Sequence, residues 1–144
     1  MRAGAPWLSR RDEVSSYSLA SVMSQSAAAA AEFYRHVARS GRVWTIRDSG
    51  GFPAPADSAG QRSMPFWSSV SRAQRVIDTV AAYRGFVVHE LSLEEFRDRW
   101  LPGLRRDGLL VGVNWSGAGA TGYDVEPDAV LASIATRPVA RRRF

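Results

Sequence analysis

Residues 92–117 read SLEEFRDRWLPGLRRDGLLVGVNWSG, and the fold turns on this stretch. Ser92 with Glu95 three residues on has capping-box spacing, in which a hydroxyl and a carboxylate answer free N–H groups of a first helical turn. Phe96, Trp100 and Leu104 recur at four-residue intervals, so they share a helical face and are expected in the core. Pro102 lacks an amide hydrogen and its ring collides with the carbonyl four residues back. The helix is therefore predicted to end near Leu101 or to kink, with a short further turn over 104–107. Gly108 is suited to close it. Leu109–Trp115 is apolar apart from Asn114, which predicts a strand covered on both faces.

Working outward, the preceding segment gives another helix and strand. Ser68 and Ser69 are candidate N-caps. Ala73, Val76, Ile77, Val80 and Tyr83 then form one apolar stripe, with Arg72, Arg75 and Asp78 outside it. Gly85 ends that helix, and FVVHEL (86–91) reads as a strand. A helix between two strands favours parallel pairing of residues 63–67 with 86–91. Further upstream, Ser24 can cap a helix with Ala30, Phe33, Tyr34 and Val37 on one face, stopped by Gly41. RVWTIRD (42–48) alternates as a half-buried strand with Trp44 and Ile46 inward. Phe52–Pro55 is at best an edge strand, because Pro53 and Pro55 cannot donate to a ladder.

Downstream, GAGATG (117–122) is a hairpin connection, Tyr123–Val125 pairs back, and Pro127 opens a last helix. The order α-β-β-β-α-β-α-β-β-α predicts a single compact α/β (α+β) domain, a mixed sheet of about five to six strands with helices packed on it. Residues 1–22 lack periodicity and are expected to be a disordered extension, residues 23–136 the domain, and residues 137–144 a flexible arginine-rich tail.

Composition narrows function. The chain of 144 residues suits one domain and is 45% hydrophobic, enough for a core. With no cysteine there are no disulfides, thiolate metal sites or cysteine nucleophiles, as suits a reducing cytoplasm. His36 and His89 have no ligand spacing, so no metal site and no cofactor are expected. No apolar run is long enough for a membrane span. The net charge of +5 comes entirely from arginine. Its scatter along the chain, rather than a stripe, argues against nucleic acid as partner.

The motifs VWTIRDSGGFPAP, PFWSS, RDRWLPGLRRDGLLVGVNWSG and GYDVEP together resemble a small bacterial family known as domain of unknown function 2750, over roughly Ser24 to Ile134. The resemblance implies a cytoplasmic α/β domain and brings no activity, cofactor or catalytic residue.

The candidate functional residues are Asp48, Trp67, Ser68, Arg72, Asn114, Trp115 and Asp124. Asp48 ends a strand beside a glycine turn, and Asn114 ends an otherwise apolar strand, where ligands of α/β sheets often bind. Ser68 lacks the flanking glycines of a nucleophile elbow, so capping is its expected role. Arg72 lies near the start of a helix whose free N–H groups favour anions. Trp67 and Trp115 are expected in the core with their indole N–H groups on partners. No catalytic set emerges. The leading expectation is a non-enzymatic interaction or regulatory module with a protein partner. The alternatives are a small ligand-binding or hydrolase-like enzyme using Asp48, Asn114 and Asp124, and nucleic-acid binding through the arginines.

Overall fold

The alanine run 27–31 has no side-chain rotamer entropy to lose, and the helix around it, α1, spans Leu19–Ser40. The structure, a computed structural model, describes residues 19–117 and 119–135, with the backbone alone for residues 19–26 and Thr121. The expectations for residues 1–18 and 136–144 lie outside the described residues. Because α1 starts at Leu19, Ser24 lies within the helix and not at its cap. Gly41, at φ 72°, ends it and donates to the Val37 carbonyl at 2.9 Å.

Among the described residues the chain makes four helices, α1 included, and five strands in α+β order. Strand β1 is Arg42–Arg47, β2 is Ser63–Phe66 and helix α2 is Val70–Thr79, after which Ala81–Tyr83 makes a 3-10 turn. Strand β3 is Val87–Ser92. Helix α3 is composite, with an α turn at Leu93–Glu95, a π turn at Phe96–Trp100 and an α segment at Leu101–Arg106. Strand β4 is Leu110–Ser116, β5 is Thr121–Val125 and α4 is Pro127–Ala135.

The strands form two small sheets, β1–β3 and β2–β4–β5. Trp44 and Trp67 join them by exchanging backbone hydrogen bonds of 2.9 and 2.7 Å. The Thr45 hydroxyl adds a bond to the Pro65 carbonyl at 2.8 Å. The three-stranded sheet is mixed, since β2 runs parallel to β4 and β5 antiparallel to it.

The expected single mixed sheet of about five to six strands is instead five strands in two small sheets among the described residues, and three further sequence expectations are corrected. Phe52–Pro55 contributes no strand, and only isolated bridges, Asp48 with Gly51 and Ala56 with Arg62, bracket it. Prolines that cannot donate explain the gap. Strand β3 pairs antiparallel with β1 rather than parallel with β2. The parallel partner of β2 is instead β4, reached by the long crossover through α2, β3 and α3. Finally, of the two outcomes expected at Pro102, an end near Leu101 or a kink, the first is overturned, since α3 does not stop there. The Leu101 N–H reaches back five residues to the Phe96 carbonyl, and this π turn carries the helix past Pro102.

Helices cover both faces of the strands. On one side α1, α3 and α4 bury Phe33, Val37, Phe96, Leu101 and Val130 against Val43, Phe66, Val111 and Val113. On the other, α2 buries Ala73, Val76 and Ile77 against Ile46, Trp67 and Trp115. Strand β1 is consequently covered on both faces, since Val43 belongs to the first cluster and Ile46 to the second. Trp100 is a partial exception to its expected core role. It is only half-buried and packs edge-on to Phe52 and Phe66 at the border of the first cluster.

Candidate functional site

Strict alternation along β4 would place Val111, Val113 and Trp115 on one face. The structure separates them. Asn114 adopts φ 50°, a left-handed conformation that asparagine tolerates better than most residues, and the register of β4 against β5 shifts between Val113 and Ser116. This bulge turns Trp115 to the opposite face, the one carrying Gly112 and α2. The indole crosses Gly112 so closely that a Cβ there would lie 2.3 Å from Trp115 Cε2. Opposite Gly112 on β5 stands Asp124, and the Trp115 indole N–H donates to its Oδ1 at 2.9 Å.

The bulge is held from below. Asn114 is 1% exposed. The Ser68 amide donates to its Oδ1 at 2.9 Å, and its Nδ2 donates to the Ala29 carbonyl and to Ser68 Oγ, each at 3.1 Å. Ser68 Oγ also lies 3.4 Å from His36 Nδ1. One buried amide thus ties β4 to α1 and to the entry of α2. The Trp67 indole N–H donates to the Trp115 carbonyl at 2.8 Å. Ser69, not Ser68, caps α2, accepting the Arg72 amide at 3.2 Å.

Two clefts flank Trp115. The larger, about 310 Å³, lies between α2 and the end of β4 and is lined by Arg72, Arg75, Val76, Thr79, Trp115, Ser116 and Gly117. Val76 and Trp115 are buried and form its floor, whereas Arg75, Thr79, Ser116 and Gly117 are exposed at its rim. Arg72 pairs with Glu32 of α1. Among the described residues no ion pair is formed by Arg75. The smaller cleft, about 110 Å³, brings Asp57, Gln61 and Ser63 to Asp124 beside Trp115. Partial burial of the Asp124 carboxyl, in a residue otherwise exposed on β5, raises its proton affinity and the nearby Asp57 carboxylate adds to this; the hydrogen bonds from Trp115 and Ser63 act in the opposite direction. Asp57 itself accepts the Ala59 and Gln61 amides in its turn, both at 2.9 Å.

Of the residues singled out from sequence, Arg72, Trp115 and Asp124 line these clefts. Trp67, Ser68 and Asn114 are buried beneath them, with polar atoms bonded to protein. Asp48 lines neither cleft. Its carboxylate accepts the Gly50 amide at 2.8 Å in a turn closed by paired bonds with Gly51. The sequence reading missed Asp57, Ser63 and Gly112. The signal for Gly112 is a glycine inside an apolar strand, which marks a close approach. Asp57 sits in a proline-flanked turn that gives no hint of its partner on β5.

Residues 30–134 match a family described as "Protein of unknown function (DUF2750)". The chain belongs to the DUF2750 family. Both clefts and the Asn114 bulge fall within the matched span of this DUF2750 domain. No curated protein matches the chain. Among the described residues, no helix is long and apolar enough to cross a membrane, and no group of three or more His, Cys, Asp or Glu could hold a metal ion.

Proposed function

We propose that this DUF2750 domain is a non-enzymatic interaction or regulatory module of the bacterial cytoplasm, and that it recognises a protein partner through the cleft between α2 and the end of β4. The observation that carries this reading is Arg75. It stands exposed at the rim of a cleft with an apolar floor, without an ion-pair partner among the described residues. Arginine beside buried aromatic surface is the composition that binding surfaces favour. By contrast, Asp48, Ser68 and Asn114 are engaged in turn and framework bonds. The test is affinity capture with the purified domain and with Arg75→Glu. A partner held by the wild type and lost from a variant of unchanged thermal midpoint is the expected result. Binding indifferent to charge reversal at both Arg72 and Arg75 would refute the reading.

One observation favours an enzyme as the second reading. Asp124 is a carboxyl of raised proton affinity in a cleft with a second carboxylate, the environment from which acid–base catalysts are drawn. Turnover of an ester or phosphoester panel that Asp124→Asn abolishes would shift the assignment there.

A further inference from the structure

We propose that the group this cleft takes from its partner is a carboxylate carried on an apolar body, chemistry that a small organic monoanion reproduces. The inference rests on the reading that this cleft is the recognition site, and it adds the chemistry of the occupant. Arg72 and Arg75 are three residues apart on α2, hence neighbours on one helical face, and both line the cleft. They are not electrostatically equal. Glu32 pairs with Arg72 but is shared with Arg35 at 3.8 Å, so it offsets only part of the Arg72 charge, whereas Arg75 has no ion-pair partner among the described residues. The bare guanidinium at the cleft is therefore Arg75, with Arg72 partly offset, so the pair falls short of the two full charges that a doubly charged anion would need. Arg72 is meanwhile positioned by Glu32 and keeps further N–H donors for the same ligand.

The geometry of the guanidinium selects the head group, because its planar fork meets a carboxylate with two parallel hydrogen bonds. The floor selects the rest. Val76 and Trp115 are 3% and 5% exposed and belong to the second apolar cluster, so a bound body would extend that cluster rather than meet polar groups. Thr79 offers little competition for the head group, since its hydroxyl donates to the Arg75 carbonyl at 2.7 Å within the helix. A volume of about 310 Å³ is at the small end for ligand sites, of the order of 300–1,000 Å³, and fits a single ring or a short branched acid.

The experiment is an NMR titration of the full chain with benzoate, benzyl alcohol and inorganic phosphate, following the Trp115 indole N–H and the Gly117 amide. Saturable benzoate shifts at both, with affinity at least about tenfold above that of benzyl alcohol and of phosphate, are expected. Arg75→Glu should abolish the shifts, and Arg75→Lys should weaken them, because a point charge replaces the fork. Equal binding of benzyl alcohol would overturn the anion, and equal binding of phosphate would overturn the apolar body. Benzoate shifts that persist in Arg75→Glu, or no benzoate shifts at all, would overturn the ligand assignment. If benzoate fails while capture of a protein partner remains Arg75-dependent, the ligand assignment falls and the interaction reading stands. If both are indifferent to Arg75, both fall.

Discussion

Replacing Asn114 by alanine tests the joint on which the whole site depends. The substitution removes the acceptor of the Ser68 amide, which is 2.9 Å away in a residue only 4% exposed. A buried N–H left without a partner costs about 1–3 kcal/mol. The Ala29 carbonyl also loses a donor, but it lies mid-helix, where the ladder bond from Phe33 remains, so its loss adds little. The backbone contributes separately. Alanine at φ 50° lacks the local tolerance of asparagine, at about 1–2 kcal/mol. Together the loss is about 2–5 kcal/mol, a large share of the roughly 5–15 kcal/mol that holds a small domain folded. Urea denaturation of the wild type, Asn114→Ala and Asn114→Gly resolves the two parts, because glycine relieves the dihedral strain while still lacking the amide. Glycine should recover about 1 kcal/mol of the alanine loss and no more. An alanine variant within about 0.5 kcal/mol of wild type, the range of ordinary surface changes, would refute the argument that this amide binds α1, α2 and β4 together.

Other substitutions read the Trp115 face. Gly112→Ala places a methyl group where the indole lies, and should destabilise by about 1–3 kcal/mol as an overpacked site, with loss of hydrogen-exchange protection at the Trp115 indole N–H; an unperturbed indole resonance would contradict the contact. The Asp124 carboxyl binds its proton more tightly folded than unfolded, so its contribution to stability is present at low pH and is lost as pH rises from the ordinary carboxylate value through the raised one. Asp124→Asn keeps an acceptor for the Trp115 indole and should flatten that segment of the stability curve; an unchanged curve would show that another group titrates there. Burial pushes the Tyr83 phenol up to about 12, so neutral Tyr83 stabilises the fold below the ordinary value near 10, and this is lost as pH rises through about 12. Tyr83→Phe should remove one ionisation near pH 12 from a spectrophotometric titration, and a titration unaltered above the ordinary tyrosine range would count against its burial.

The periodic elements were legible in the sequence because burial on one face leaves a repeat. The stripe Ala73, Val76, Ile77, Val80 and Tyr83 is buried throughout, although regular α-helix ends at Thr79 and a 3-10 turn carries the last of it. Ser92 accepts the Glu95 amide at 3.0 Å, as the capping spacing requires. What failed was inference about pairing. An antiparallel partner for β3 and a parallel one for β2 depend on long-range contacts that no local pattern encodes. The π turn escaped for a related reason. Pro102 announces a lost hydrogen bond, but whether a helix stops or shifts to a five-residue reach depends on what holds its two halves. Here Phe96 and Leu101 before Pro102 and Leu104 after it are buried in the same cluster, so continuing through Pro102 keeps all three in the core.

The candidate site was legible in its composition and hidden in its geometry. Asn114 and Trp115 drew notice as a polar residue and an aromatic at a strand end, yet alternation assigns Trp115 to the wrong face. A single left-handed residue reverses that assignment, and three consequences follow from it. The indole needs an empty place on the same face, which Gly112 supplies. Its N–H then falls opposite β5, where Asp124 accepts it. Its position between α2 and β5 divides the surface into two clefts of opposite charge, arginines on one side and carboxylates on the other. Any substitution that restores ordinary strand geometry at Asn114 would return Trp115 to the face of Val113 and remove the wall that both clefts share. Ligand or partner recognition at Arg75 should therefore depend on Asn114, a residue that itself lies buried and out of reach of either.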